Sequence, residues 1–161
     1  MTKTTKQDLL KTAQKAFNLE LIYLHKVESS FADDKTPYDL KGKNIDVGLD
    51  FSVGDFLESK KQKKETVIYP CNNVATFKNA QTKKVEFTVS VEYRAVYIAE
   101  SEKVSEESKK IFGEGNVMYH VYPYLREFLQ SHLHRMNMPS FTMPMLLPHT
   151  GEKTMDKPKD K

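Results

Sequence analysis

The succession of alternating segments constrains this chain more than any other feature. Residues 45–53 place Ile, Val, Leu, Phe and Val at every second position, with polar or small residues between them. Such alternation predicts a strand with one buried face and one solvated face. The same period of two begins at residue 17, returns less regularly in residues 65–78, and is clear again in residues 85–100. Four strands in succession, with no helical pattern between them, predict an antiparallel sheet.

Three details of this predicted sheet can be tested. In the first strand Ile22 and Leu24 make the second face apolar as well, so we expect little solvent on either side of its middle. Pro70 cannot donate a ladder hydrogen bond, which predicts a bulge or an edge position in the third strand. The lysine-rich residues 58–65 are predicted to form a solvated turn.

The two ends of the chain differ from the body in their pattern. Residues 1–16 are predicted to contain a short amphipathic helix, with Thr5 and Asp8 spaced as a capping box. Residues 149–161 carry almost no apolar side chains and are predicted to form a disordered tail. The body between them, residues 17–148, is expected to be one folded domain.

One long helix is predicted over residues 117–136, where apolar side chains recur at helical spacing. Pro123 must then lie in the first turn or kink the helix, because an interior proline removes a hydrogen bond. The preceding residues 101–116 are polar and are expected to be partly helical, ending near Gly113 and Gly115. The predicted fold class is therefore α+β, a four-stranded antiparallel sheet with one long C-terminal helix.

Apolar side chains are left over in this layout, because one helix can cover only one face of the sheet. The connection after the first strand, residues 30–44, carries Phe31, Tyr38 and Leu40 and is expected to lie against the body. Residues 136–148, here called the strap, are too rich in proline for a helix and too apolar for a free loop. This surplus predicts that the protein forms an oligomer.

Methionine is concentrated in the strap. Four of the seven methionines lie there, namely Met136, Met138, Met143 and Met145. Methionine is flexible and polarizable, so a surface made of it can repack around apolar ligands of different shape. Pro139 and Pro144 favour an extended backbone beside Phe141. Two interpretations remain open here: the strap fills gaps over the end of the helix, or it forms one wall of a groove.

The sequence motifs of enzymes and metalloproteins are missing. There is no glycine-rich phosphate loop, no GxSxG elbow and no HExxH pair. His132 and His134 are two residues apart on the predicted helix, so they point to different sides instead of sharing a metal. Cys71 is the single cysteine and is expected to be a buried, inert thiol. We therefore expect no catalytic step, no metal and no cofactor.

Charge and hydropathy limit the partners further. The net charge is +3, but the positive excess lies in residues 1–16, 58–65 and 151–161, which leaves the rest of the body net negative. A nucleic-acid binder concentrates Lys and Arg on a folded face, so no nucleic-acid partner is expected. No apolar run approaches the roughly 20 residues of a membrane helix, and the N-terminus lacks the apolar core of a secretory signal. These observations predict a cytoplasmic protein without membrane insertion.

Two segments resemble the family of SecB-type export chaperones. The helix and its exit read VYPYLREFLQSHLHRMNMPSFTMPMLLP; in that family an apolar residue, an aromatic residue and Pro-Tyr precede Arg-Glu, and a proline-rich apolar strap follows. The first strand, FNLELIYLHKV, resembles the family's opening strand, with Ile22 and Tyr23 as its Ile-Tyr pair. The resemblance covers residues 17–148.

This resemblance implies a SecB-like fold that assembles as a dimer of dimers, a homotetramer, and performs no enzymatic step. It implies a chaperone that holds non-native chains in long apolar grooves between the helix, the connection and the sheet. The implied client is an unfolded preprotein or an antitoxin-like polypeptide. Carried over position by position, the implied polypeptide-binding residues are Phe31, Tyr38, Leu40, Tyr122, Tyr124, Leu125, Phe128, Met136, Met138, Phe141, Met143 and Met145.

The sequence departs from the family at the positions that bind the export motor. The family presents carboxylates on the sheet face to a basic motor surface, whereas Lys26 occupies the matching part of the first strand. Only Glu86 and Glu92 are available on the fourth strand, and the family's second C-terminal helix and motor-binding tail are not recognisable after Pro148. The export motor is therefore left open as a partner.

Three functions compete at this stage. The leading hypothesis is a cytosolic, oligomeric holdase, a chaperone that binds unfolded chains without an enzymatic step. The second is a non-enzymatic adaptor or assembly module that uses the same surface for one folded protein. The third, a small-molecule site or hydrolase, has no motif in its favour.

Overall fold

The protein has an α+β fold built on one antiparallel sheet. A computed structural model describes residues 5–33, 35–59, 64–99, 104–139 and 141–144. The elements in chain order are α1 (Lys6–Ala16), β1 (Phe17–Phe31), α2 (Pro37–Leu40), β2 (Ile45–Val53), β3 (Leu57–Ser59), β4 (Thr66–Asn79), β5 (Val85–Ala99), α3 (Glu106–Phe112) and α4 (Met118–Arg135). The strands are ordered β1-β5-β4-β2, and β3 also pairs with β4.

The core lies on the face of the sheet that α4 covers. Along β5 the odd-numbered side chains from Phe87 to Ala99 are buried, while the even-numbered ones from Thr88 onward are only half-buried. The odd-numbered side chains of β4 from Val67 to Phe77 are buried on the same face. On the covering layer, Leu125 and Leu129 of α4 are buried against them. The alternation of side chains along β4 and β5 thus places one face of the sheet in the core, as the sequence predicts.

Within the described residues the sheet has five strands, so the prediction of four is wrong by one short element. Leu57–Ser59 forms β3 on β4, in a segment that we expected to be a turn. Pro70 explains the position of this strand. It lies in β4 between the part that pairs with β2 and the part that pairs with β3, opposite residues 54–56. The missing ladder hydrogen bond of Pro70 therefore coincides with a break in the neighbouring strand, although β4 itself is central.

A buried ion pair fastens β3 to the helical layer. The ammonium of Lys109 on α3 is almost completely buried, and it donates to the carboxylate of Glu58 at 2.6 Å and also contacts that of Glu65. Burial alone would lower the pKa of Lys109, but the hydrogen bonds that its ammonium donates to the two carboxylates raise the pKa overall. A buried charge with its partners in place keeps these elements together.

The first strand is an edge strand, and the expectation that both its faces are dry is wrong. Register shifts between Leu19 and Leu21 and between Leu24 and Lys26 interrupt its pairing with β5. Because each shift changes which side chains point to the core, the apolar residues are divided between two faces. Leu19, Leu21 and Leu24 are exposed in the single chain.

The glycines at 113 and 115 do not end a helix, contrary to expectation. Residues Gly113–Val117 form a π-helical turn that joins α3 directly to α4. Gly113 serves close packing instead, because a Cβ atom there would lie only 2.8 Å from Cε1 of Tyr69. The long helix itself is confirmed as Met118–Arg135, with Pro123 inside it.

The N-terminal helix begins at the predicted capping box. The Thr5 hydroxyl accepts from the backbone N–H of Asp8, and the Asp8 carboxylate accepts from the backbone N–H of Thr5 at 3.1 Å. Ala13 is fully buried, and Gln14 donates to Asn116 at 3.1 Å. Residues 149–161 lie outside the described residues, and so does the predicted tail.

Loss of this cap should destabilise the protein measurably. Thr5→Ala removes the acceptor for the Asp8 N–H, so we expect the free energy of unfolding to fall by about 1 kcal/mol. Thr12→Ala is the matched control, because Thr12 is also exposed but lies inside the helix. Urea unfolding followed by circular dichroism measures both; equal losses in the two variants would show that the cap contributes nothing.

His120 should make the folded state sensitive to acid. Its Nδ1 is 2.7 Å from the Tyr97 hydroxyl, and burial lowers the pKa of His120 below its ordinary value of 6.5. The unfolded chain therefore binds a proton at a higher pH than the folded one, so stability should fall as the pH drops through 6.5. Urea titrations at pH values on either side of 6.5 should show a smaller loss for His120→Gln. The exposed His134→Gln should behave like the unmodified protein, and an equal loss in all three proteins would contradict this assignment.

Candidate functional site

The candidate site is the apolar layer formed by α4 and the strap. On one side α4 lies over β5, where the Tyr93 hydroxyl donates to the Tyr124 carbonyl at 3.3 Å. The ring of Tyr93 also meets that of Phe128 edge-on, with 6.4 Å between the ring centroids. Burial and the neighbouring Glu127 raise the pKa of Tyr93 to about 12, so its hydroxyl stays protonated and can donate at neutral pH. This side of the helix is fixed to the sheet.

On the other side α4 meets the edge strand β2 and the strap. The ring centroids of Tyr122 and Phe51 are 5.7 Å apart, and the Tyr122 hydroxyl donates to the Pro144 carbonyl at 2.5 Å. Burial raises the pKa of Tyr122 although Arg126 opposes this shift, which keeps the hydroxyl a donor. The strap is thus held through a main-chain atom, which any peptide also possesses.

A chain of aromatic contacts links the end of β1 to the strap. Phe31 packs on Phe87 at 4.5 Å between ring centroids, and Phe87 packs on Phe77 at 5.6 Å. Phe77 meets Phe141 of the strap edge-on at 5.8 Å. Two of the sequence-predicted residues, Phe31 and Phe141, therefore belong to one continuous apolar cluster.

A crevice separates the C-terminal half of α4 from the strap. It has a volume of about 280 Å³ and is lined by Gln130, Leu133, His134, Met138, Pro139 and Phe141. Its exposed lining is polar and apolar in nearly equal parts, because Gln130 and His134 of the helix stand beside the apolar side chains. A crevice with this mixed lining offers apolar contacts and hydrogen-bonding groups together.

The sequence-predicted residues differ widely in accessibility. Tyr38 and Tyr124 are exposed, at 78% and 49% of their surface. Half-buried positions are Phe31, Phe128, Met136 and Phe141. The buried members are Leu40, Tyr122, Leu125, Met138 and Met143. Met145 lies outside the described residues. Of these predicted residues, only the exposed and the half-buried ones present apolar surface to a partner of the single chain.

Several residues of the site were not singled out from the sequence. Phe77 contacts Phe141 of the strap, Phe51 contacts Tyr122 of α4, and Leu133 lines the crevice. Their positions on alternating strands and on the helical stripe mark them only as core residues. Asn73 is also missed: it is buried on the same face of β4 as Phe77. A buried asparagine has no sequence signature that distinguishes it from a strand-surface one.

The site offers little reactive chemistry. Burial and the nearby Glu92 carboxylate raise the pKa of Cys71 to about 12, so the thiol is protonated and inert at neutral pH. The expectation that Cys71 is buried is confirmed. Within the described ranges, no group of three or more His, Cys, Asp or Glu side chains could hold a metal ion. No helix in the part of the chain that the structure describes is long and apolar enough to cross a membrane.

The sheet and the single long helix define the class: the protein has a SecB-like α+β fold. It is similar to the SecB-like chaperone Rv1957 of Mycobacterium tuberculosis, solved in complex with a ChAD peptide from the Rv1956 HigA1 antitoxin. The TM-score is 0.68 at 16% identity, over 86% of this chain and 96% of that one. A protein of unknown function from Streptococcus agalactiae matches with a TM-score of 0.41 at 10% identity, over 80% of this chain and 97% of that one. No protein-family model matches the sequence, and no curated protein matches it significantly.

Proposed function

We propose that this protein is a chaperone of the holdase type, which binds extended, non-native polypeptides and performs no enzymatic step. The observation that carries the proposal is the apolar surface left open beside α4 on a SecB-like fold. Tyr124 of α4 is exposed, Phe31 and Phe128 are half-buried against the core, and Tyr38 is exposed on α2. Hydrophobic attraction is non-directional, so such a surface favours many unfolded segments over the polar exterior of folded proteins.

The proposed class of client rests on the structural neighbour. The neighbour Rv1957 was solved with a peptide from an antitoxin, which supports an antitoxin-like client here, with an unfolded preprotein as the other possibility. The export motor has less support, because its expected carboxylates are engaged. Glu86 is buried with Lys35 at 3.8 Å, and Glu92 is paired with Arg94 at 3.1 Å. We therefore propose a client of the antitoxin type first, in a cytosolic protein.

The proposal includes an oligomer built through β1. This strand is the outer edge of the sheet and exposes Leu19, Leu21 and Leu24. An exposed, long and apolar edge strand readily pairs with another strand. A second copy of β1 would cover these leucines, and two such dimers would give the dimer of dimers that the family resemblance implies.

The holdase proposal predicts suppression of aggregation at stoichiometric ratios. Heat-denatured citrate synthase and chemically denatured luciferase should stay in solution when one equivalent of the protein is present during dilution. Light scattering measures the aggregation of each client. Bovine serum albumin at equal mass is the control. No effect on either client would contradict the proposal.

A second candidate, an adaptor for one folded protein, is favoured by a different surface. On the sheet face opposite α4, a row of paired apolar residues crosses β3, β4, β5 and β1. The row consists of Leu57, Ile68, Val96 and Leu21, in that order. Leu57 and Leu21 at its ends are exposed. A flat apolar row suits a folded partner better than an extended chain. Pull-down composition separates the candidates, because one stoichiometric folded protein favours the adaptor and a mixture of unfolded chains favours the holdase.

A further inference from the structure

Residues 141–144 of the strap make the kinds of contact that a bound unfolded segment would make. Residues 141–144 form neither helix nor strand. Phe141 packs on Phe77 of β4, Met143 is completely buried, and the carbonyl of Pro144 accepts from the Tyr122 hydroxyl. Apolar side chains inserted into a core, with a main-chain carbonyl as an anchor, are the contacts that any extended apolar peptide can make.

The strap follows a course across the sheet that can be placed from these contacts. Phe77 pairs with Val47 of β2, whereas Phe51, which contacts Tyr122, pairs with Asn73. Residues 141–144 therefore extend from a contact with Phe77 to a contact with Tyr122, whose ring meets Phe51. Along the same edge, Ile45, Val47 and Leu49 of β2 are half-buried against the core.

Asn73, which pairs with Phe51 on the core face of the sheet, carries an unsatisfied acceptor. Asn73 is 3% exposed, and its side-chain amide donates to the carbonyls of Cys71 and Val91. Its Oδ1 atom is buried and accepts no hydrogen bond from any described residue. Buried acceptors are rarely left unpaired. Pro144, the residue anchored by Tyr122, has no N–H to donate.

We infer that residues 141–144 of the strap are an internal occupant of the client groove and that a client binds by displacing them. The inference rests on the holdase function proposed above. The occupant also describes the client: an extended segment with apolar side chains spaced like Met138, Phe141 and Met143. A client residue other than proline also carries a backbone N–H, the kind of donor that the unpaired Oδ1 atom of Asn73 lacks. Strap residues then compete with the client, and the walls of the groove are Tyr122, Phe51 and Phe77.

Hydrogen–deuterium exchange on the full chain tests this directly. The probe is reduced, carboxymethylated α-lactalbumin, a permanently unfolded polypeptide, and its binding is measured in the same samples by fluorescence anisotropy. Displacement predicts that deuterium uptake in strap peptides rises on binding, while uptake in β5 does not. If α-lactalbumin binds and strap uptake falls or stays constant, the inference is wrong and the holdase proposal stands. If α-lactalbumin does not bind at all, both are wrong.

A pair of neighbouring substitutions adds an affinity measurement. Phe141→Ser removes the contact with Phe77 and should free the groove more often, so α-lactalbumin affinity should rise at least about fivefold. Thr142→Ala is the matched control, because Thr142 is exposed, and the affinity of this variant for α-lactalbumin should stay within about twofold of the unmodified protein.

A synthetic peptide of residues 136–145 should likewise bind the Phe141→Ser protein and not the unmodified one. Unchanged or weaker binding by a folded Phe141→Ser protein would overturn the inference; should that variant fail to fold, the exchange experiment on the unmodified chain decides.

Discussion

Leu125→Asp should unfold the protein or destabilise it by about 4 kcal/mol or more. Leu125 is completely buried at the centre of α4, over the strands β4 and β5. The substitution removes its apolar contacts and buries a carboxylate, and Lys109, the cation among the buried residues that the structure describes, is already paired with Glu58 and Glu65. Urea or thermal unfolding followed by circular dichroism measures the loss.

The neighbouring residue supplies the matched control. Tyr124 precedes Leu125 on the same helix but is half exposed, and only its carbonyl is used, as the acceptor for Tyr93. Tyr124→Asp should therefore change the free energy of unfolding by less than about 1 kcal/mol. If Leu125→Asp were as stable as Tyr124→Asp, Leu125 would have to be accessible, and the described core would be wrong.

Replacing the exposed tyrosines should abolish most client binding without affecting the fold. The double variant Tyr38→Ala, Tyr124→Ala removes the two most accessible aromatic side chains of the proposed surface. Exposed aromatic residues dominate the energetics of such surfaces, so affinity for an unfolded client should fall at least about 30-fold, near 2 kcal/mol. Fluorescence anisotropy with labelled, reduced α-lactalbumin measures the affinity.

Leu57→Ala is the control for this double variant. Leu57 is as exposed as Tyr124 but points to the opposite face of the sheet, within the row of Leu57, Ile68 and Val96. We expect its client affinity to stay within about twofold of the unmodified protein. A larger loss for Leu57→Ala than for the tyrosine variant would move the binding surface to the open sheet face and favour the adaptor.

The regular parts of the fold could be predicted because alternation and helical spacing report burial directly. Residues 45–53 and 85–99 show a period of two and form β2 and β5. The register of β1 could not be predicted, because the shifts near Leu19 and Leu24 depend on its pairing with β5. Leu57–Ser59 was missed since three residues beside a lysine run carry no usable period.

The site could be predicted only in part. The methionine and proline content of the strap marks it as an apolar, extended segment, but a segment without a period does not say which side chains point inward. Burial of Met138 and Met143 depends on contacts that the sequence does not reveal, such as the hydrogen bond from Met138 N–H to the Leu133 carbonyl and that from the Tyr122 hydroxyl to the Pro144 carbonyl. The sequence therefore leaves open whether the strap lines a groove or fills gaps over the end of the helix.

Light scattering coupled to size-exclusion chromatography, with and without an unfolded peptide, tests the central claim most directly. A single folded copy leaves Leu19, Leu21, Leu24, Tyr38 and Tyr124 exposed, so we expect copies to associate and extended chains to bind. The measured mass should be a multiple of the 18.6 kDa chain, with four copies expected, and should increase by the mass of bound reduced α-lactalbumin. A peak at 18.6 kDa that is unchanged by excess unfolded polypeptide would contradict it.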